Sequence, residues 1–156
     1  MHTVKYALIL PFLLAAGAAS AEAGTCAALL VTSSGLSFGA SYLPSVGTPL
    51  TLPLTITVSC SGSGTLPFFA LGVTAGDSGT YSSREMLGTT TPLDYQLYTD
   101  ASYSTILGDG ESGTGLLTGG SGAVSTQTLT AYGYVPPGQW VQAGSYSDSI
   151  LVVVSF

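Results

Sequence analysis

Positive charge is almost missing from this chain. Its 156 residues carry two Lys or Arg and one His against eight Asp or Glu, for a formal net charge of -6. Neutralising phosphates takes a cluster of Lys and Arg, so nucleic-acid binding is excluded as a function. Anionic membrane surfaces are disfavoured for the same reason. His2 and Lys5 both stand at the extreme N-terminus, which leaves Arg84 as the one basic side chain of the remainder. Without histidine there, neither a Ser-His-Asp nor a Cys-His arrangement can be assembled, and zinc sites of the His/Cys kind are lost once the cysteines pair. Only 6% of residues are charged while 46% are hydrophobic, a balance that opposes disorder. The length fits one domain with a real core.

Long apolar runs are also missing, except at the N-terminus. There Lys5 supplies a positive n-region, Tyr6 to Ala19 forms an almost wholly apolar stretch, and Ala19-Ser20-Ala21 fits a small-residue cleavage site. This predicts an export signal over residues 1–21 and a mature domain over residues 22–156. Ala21-Glu22-Ala23 is a second possible cleavage site. The run is too short and wrongly flanked for a membrane-spanning helix. Two cysteines, Cys26 and Cys60, remain in the exported part. An even count in an oxidising compartment most simply gives one intramolecular disulfide, the alternative being two free thiols.

Helical periodicity is absent beyond the signal, and strand periodicity takes its place. From Leu50 to Cys60, Leu50, Leu52, Leu54, Ile56, Val58 and Cys60 alternate with Thr51, Pro53, Thr55, Thr57 and Ser59, which predicts a half-buried strand with Cys60 on the core side. Pro53 removes a ladder donor and so implies an edge or a bulge. Further strands are expected over Ala27 to Thr32, Pro67 to Thr74, Leu93 to Tyr98, Gln127 to Val135 and Ser147 to Phe156. Gly76 to Thr91 and Gly108 to Ala123 read as turn-rich connections. Short strands punctuated by Gly and Ser give an all-β, immunoglobulin-like antiparallel sandwich. In the last strand Ile150 to Val154 are apolar on both parities. Such an edge at a chain terminus must be covered or will pair with another strand.

Chemistry has few candidates. Asp94, Asp100, Asp109, Glu111 and Asp148 are the carboxylates that a glycosidase pair would have to draw on, but scattered acids at strand ends are the usual caps and turn formers. Asp109-Gly110-Glu111 with Asp100 offers oxygen ligands for calcium, yet nothing matches the twelve-residue calcium loop, and Gly108-Asp109-Gly110 reads better as a turn. No metal, cofactor or catalytic residue is assigned. Arg84 either recognises an acidic ligand or pairs with a carboxylate to pin the Gly76 to Thr91 loop, the second being favoured. Tyr42, Tyr81, Tyr98, Tyr103 and Trp140 are suited to stacking on sugars or to ordinary core and rim positions. Gly144-Ser145-Tyr146-Ser147-Asp148 reads as a tyrosine corner, with Tyr146 bonding back to the preceding crossover.

In their order along the chain, these residues resemble the spore coat protein U domain family, which includes the pilins of archaic (Csu-type) chaperone-usher pili. Leu36-x-Phe38-Gly39-x-x-Tyr42 and Ser59-Cys60 are similar to its opening, and Arg84-x-Met86 with Leu93-x-Tyr95-x-Leu97-Tyr98-x-Asp100 to its centre. Gly108-Asp109-Gly110, Tyr132-Gly133-Tyr134-Val135-Pro136, Gln139 and Ala143-Gly144-Ser145-Tyr146-Ser147-Asp148 complete it. Leu107 stands where the family often has Trp. The resemblance implies a non-enzymatic, incomplete sandwich lacking its final strand. Such a subunit is held by a periplasmic chaperone, assembled at an outer-membrane usher and joined to other pilin subunits by donor-strand complementation. The acceptor edge would be Ile150, Val152, Val154 and Phe156, and the mature chain would travel through the periplasm to the cell surface. Glu22 to Thr25 is too short for a donor strand, which implies a subunit at a fibre's end. The alternative is a self-sufficient secreted adhesin or coat component that binds a surface or glycan.

Overall fold

The computed structural model describes residues 3–8, 26, 28–34, 38, 42–62, 64–88, 90–120 and 122–156, and every regular element among them is a strand. In chain order these are β1 (Thr3–Leu8), β2 (Leu29–Ser33), β3 (Leu50–Cys60), β4 (Phe69–Val73), β5 (Arg84–Met86), β6 (Leu93–Tyr98), β7 (Leu117–Gly119), β8 (Thr126–Val135) and β9 (Ile150–Ser155). All strand pairs are antiparallel, in two sheets of order β1-β9-β4-β7 and β2-β3-β8-β6-β5. The sandwich expected from the strand pattern is the architecture found.

The alternation along β3 explains its place. Leu54, Ile56 and Val58 are buried while Thr51, Pro53 and Thr55 face solvent, so one face of the strand meets the core and the other stays wet. β8 pairs with β3 from Leu50↔Val135 to Ser59↔Thr126, which makes these two strands the spine of the larger sheet. β2 covers only the second half of β3, ending at Ser33↔Ile56. The Thr55 amide and carbonyl still face that side, bonding Ser34 Oγ at 3.3 Å and the Ser34 amide at 3.0 Å. Pro53 has the same parity as Thr55, so its missing N–H lies past the last β2 pair, the one side where the ladder does not need it.

Between the sheets, Ile56, Val58, Phe69, Leu71, Leu97, Leu107, Val135 and Val154 are all fully buried. Gly72 in β4 allows a close approach on the outer face, since a Cβ there would lie 2.5 Å from the Gly108 carbonyl oxygen. That carbonyl accepts the Val73 amide at 2.9 Å, which seats the Gly108 loop against β4. Two strands fall inside segments expected to be turns, β5 in Gly76 to Thr91 and β7 in Gly108 to Ala123. Each is three residues long, too short for a period of two to register.

Cys26 and Cys60 form a disulfide with Cα atoms 5.3 Å apart. Cys60 closes β3 opposite Leu29, so the bond ties the chain ahead of β2 to the far end of β3 within one sheet. Its loop spans 34 residues, and closing a loop of that length stabilises a domain by about 3 to 4 kcal/mol on the chain-entropy model. Reduction, or replacement of both cysteines by Ser, is therefore expected to lower the unfolding free energy by about that amount. Urea denaturation of the oxidised and reduced chain measures it, and matching midpoints would contradict the expectation.

Candidate functional site

β9 begins where the two sheets are laced together. Just ahead of it, the Leu87 and Ser147 amides and carbonyls exchange bonds of 2.7 and 3.0 Å, linking the approach to β9 with the end of β5. The Tyr146 ring lies over Gly88, where a Cβ would come within 2.3 Å of it. Its hydroxyl donates to the Gln142 carbonyl, four residues upstream, at 2.5 Å. Asp148 is the next fixed point. One carboxylate oxygen accepts the Asp77 and Ser149 amides, both at 2.7 Å, and the other accepts the Tyr95 hydroxyl at 2.5 Å. Gly76, at φ +81, makes room for this, because a Cβ would fall 2.1 Å from the carboxylate. Burial, then the bond to Asp148 and its charge, push the Tyr95 phenol well above the ordinary value.

Along β9 itself, Val152 and Val154 are buried, Ile150 is half-buried, and Phe156 lies one residue past the strand, packed partly on the core. One edge of β9 pairs with β4, from Ala70↔Ser155 to Val73↔Val152. Its other edge pairs with β1, from Thr3↔Ser155 to Leu8↔Ile150. Next to Ile150 and Val152 a cleft of about 960 Å³ opens between the sheets. Its floor is core, with Leu54, Ile56, Val73, Leu97 and Val135, and Leu43, Val141 and Tyr146 line its mouth. A groove beside the last strand is what an incomplete sandwich implies, but its wall residues Phe38, Tyr42, Leu43 and 141–148 were not legible, because they carry no strand period.

Arg84 differs from expectation. The expected carboxylate partner is replaced by neutral groups: its guanidinium donates to Gln96 Oε1 at 2.6 Å and to the Thr74 and Leu107 carbonyls at 3.0 and 2.9 Å. The Tyr81 ring lies 5.2 Å below it. The residue is fully buried, and burial pushes its pKa down from the ordinary value. Its fork, a planar group with donors in fixed directions, ties β5 to β6, to the end of β4 and to the Gly108 loop. Leu107 is fully buried and contributes its carbonyl to this node.

The other singled-out residues act as local ties. Asp100 accepts the Ser102, Ser104 and Thr105 amides and the Ser102 hydroxyl, and the last of these leads the bonds that hold its carboxyl far below the carboxylate range. Asp109 accepts the Glu111 amide and the Thr114 hydroxyl, 2.9 and 3.0 Å away, as a turn residue does. Asp94 is exposed on β6, and Gln139 bonds both its amide and its carbonyl. Among the described residues no group of three or more His, Cys, Asp or Glu is placed to hold a metal. Tyr42 donates to the Pro136 carbonyl and accepts the Gln139 amide, each at 2.8 Å. Tyr98 meets Tyr103 and Tyr134 edge to face, and Tyr103 and Tyr134 are tilted, with ring centres 5.2 to 6.2 Å apart, while Trp140 is 81% exposed.

The short sequence motifs thus meet in space: Tyr42 with Pro136 and Gln139, Arg84 with Leu107, and Tyr95 with Asp148. The model of the Spore Coat Protein U domain matches residues 13–153. The chain belongs to that family. Its fold is similar to a chain in the crystal structure of the CsuC-CsuE chaperone-tip adhesion subunit pre-assembly complex, from archaic chaperone-usher Csu pili of Acinetobacter baumannii. The TM-score is 0.53 at 19% identity, covering 82% of this chain and 40% of that one. This family member therefore spans two-fifths of that chain's length, and the likeness is one of fold. No curated protein matches it in sequence.

The Tyr95 to Asp148 bond gives a pH signature. Its phenol is raised in the folded state from an ordinary 10.0, so the stabilisation is fully present below pH 10 and is lost as pH rises beyond it. Tyr95→Phe is expected to cost about 1.5 to 3 kcal/mol at neutral pH, the value of a hydrogen bond to a charged group. It should also flatten the alkaline fall in stability. Urea midpoints from pH 7 to pH 11 measure both, and parallel curves for the two proteins would contradict the assignment.

Proposed function

We propose that this chain is a structural, non-catalytic subunit of a chaperone-usher pilus, exported by a leader over residues 1–21, with a mature domain over residues 22–156. In this reading a strand is added beside β9, where Ile150, Val152, Val154 and Phe156 form the accepting side. A periplasmic chaperone, then another pilin at an outer-membrane usher, supplies that strand. What supports the reading is the second edge of β9, which among the described residues is met only by β1, a segment outside residues 22–156. Family membership and the open cleft beneath Ile150 and Val152 support it. Strand addition suits such an edge, because main-chain bonds give affinity and alternate side chains fill the core. Tyr146 is the corner that fixes where this edge begins. In this reading only Glu22 to Thr25 precede Cys26 in the mature domain, a length that suits a subunit at a fibre's end, receiving a strand without giving one.

Burying three apolar donor side chains beside β9 is worth roughly 1.5 to 3 kcal/mol each. Fusing an alternating apolar strand after Phe156 of the mature chain should therefore raise the melting temperature by about 10 °C or more. Differential scanning calorimetry of the fused and unfused chain is the test. Equal and high melting temperatures would mean a sandwich already complete, and would favour a self-sufficient secreted binding module.

A further inference from the structure

The strand beside β9 comes from the leader itself. β1 is residues Thr3–Leu8, TVKYAL, running antiparallel to β9. Its register sets Val4, Tyr6 and Leu8 opposite Val154, Val152 and Ile150, the core parity of β9. Thr3, Lys5 and Ala7 stand opposite Ser155, Val153 and Leu151, the outer parity. The polar and charged residues of the segment thus fall on the outer parity, where a cation remains compatible with water, and its larger apolar residues fall on the inner one. A shift of one residue would reverse this, so the register matches the pattern of the segment.

From this pairing we infer that the uncleaved chain completes its own sandwich: while residues 1–21 remain attached, Thr3–Leu8 occupies the β9 edge, and that edge opens to another strand only when the leader is removed. The inference rests on the reading of β9 as an acceptor edge and of residues 1–21 as a leader. A strand has two edges, and β4 already holds one of those of β9, so β1 and an added donor are mutually exclusive. Tethering favours β1, because a segment on the same chain acts at an effective concentration of about millimolar. A donor in solution must compete with that. Lys5 then has two uses in turn, as the positive residue of the export signal and as the outward residue of a placeholder strand.

Amide exchange separates the two edges of β9. The Leu151 amide donates to Thr74 Oγ1, and the Leu151 carbonyl accepts the Thr74 amide, so the main-chain groups of Leu151 and, by alternation, Val153 face β4. Those of Val152 and Val154 face β1. In the full chain all four amides should be protected. Val4→Asp with Tyr6→Asp should speed exchange at Val152 and Val154 at least tenfold and leave Leu151 and Val153 unchanged, whereas Thr3→Asp with Ala7→Asp, on the outer parity, should leave all four protected. A synthetic strand peptide alternating Ile or Val with Thr or Lys should restore protection in the first variant, and should bind the unaltered chain at least tenfold more weakly.

Free exchange at Val152 and Val154 in the unaltered chain overturns the inference, as does equal peptide binding by the unaltered chain and the first variant. Equal effects of the two double variants overturn it too. If the first variant unfolds altogether, the peptide titration of the unaltered chain still decides: tight binding overturns the inference and its absence supports it. A peptide that rescues the variant although the unaltered chain is unprotected would leave the pilus reading standing and remove the placeholder. Protection in the unaltered chain with no rescue by the peptide would instead keep the self-pairing and remove the acceptor reading.

Discussion

A strand that is apolar on both parities cannot be left with a bare edge, and β9 is such a strand. Its inner residues are needed by the core, where Val152 and Val154 pack with Leu71 and Val73 of β4. Among the described residues its other edge is met by β1 alone. Everything ahead of β9 fixes that strand firmly: the Leu87 to Ser147 bridge, the Tyr146 ring on Gly88, and the Asp148 carboxylate joined to Tyr95 and Asp77. A firmly held edge next to an open cleft is the geometry on which the proposal of strand addition rests.

The same economy is visible at Arg84. A buried cation is costly, and here burial is offset by bonds to neutral groups and an aromatic face instead of a carboxylate. Two of its acceptors are carbonyls at the ends of strands or in loops, groups a sandwich leaves unpaired where its strands stop. One side chain thus satisfies the ends of several elements at once. Lysine would not do the same, since a single ammonium lacks the flat fork that reaches three acceptors in fixed directions.

Much of this was legible in the sequence where burial imposes a period. β3 and β6 begin and end where the alternation of Leu50 to Cys60 and Leu93 to Tyr98 places them, and the disulfide joins the two cysteines that export left to pair. β5 and β7 were not legible, because three residues carry no period, and β7 moreover pairs with β4, far back along the chain. Arg84 was assigned a carboxylate partner because charge is readable in a sequence and a cluster of unpaired carbonyls is not. The mouth of the cleft escaped for a related reason: Leu43, Val141 and Tyr146 stand in non-repetitive segments placed by tertiary contacts such as Tyr42 with Pro136. The charge, apolar run and cleavage site of residues 1–21 point to an export signal, and the alternation of Val4, Tyr6 and Leu8 with Thr3, Lys5 and Ala7 that suits a strand lies within the same segment.

The burial of Arg84 also bears on how the protein meets proteases. Enzymes that cut after Lys or Arg have only Lys5 and Arg84 to recognise in the whole chain. Within residues 22–156 there is a single target bond, between Arg84 and Glu85. That arginine is fully buried, with its guanidinium enclosed by Gln96, Thr74, Leu107 and Tyr81. The folded domain therefore offers trypsin-like enzymes no accessible site, and a cut there requires β5 to leave β6 first. A domain of this composition would pass through a tryptic environment intact as long as it stays folded, and the one cut it permits would serve as a counter of its unfolding.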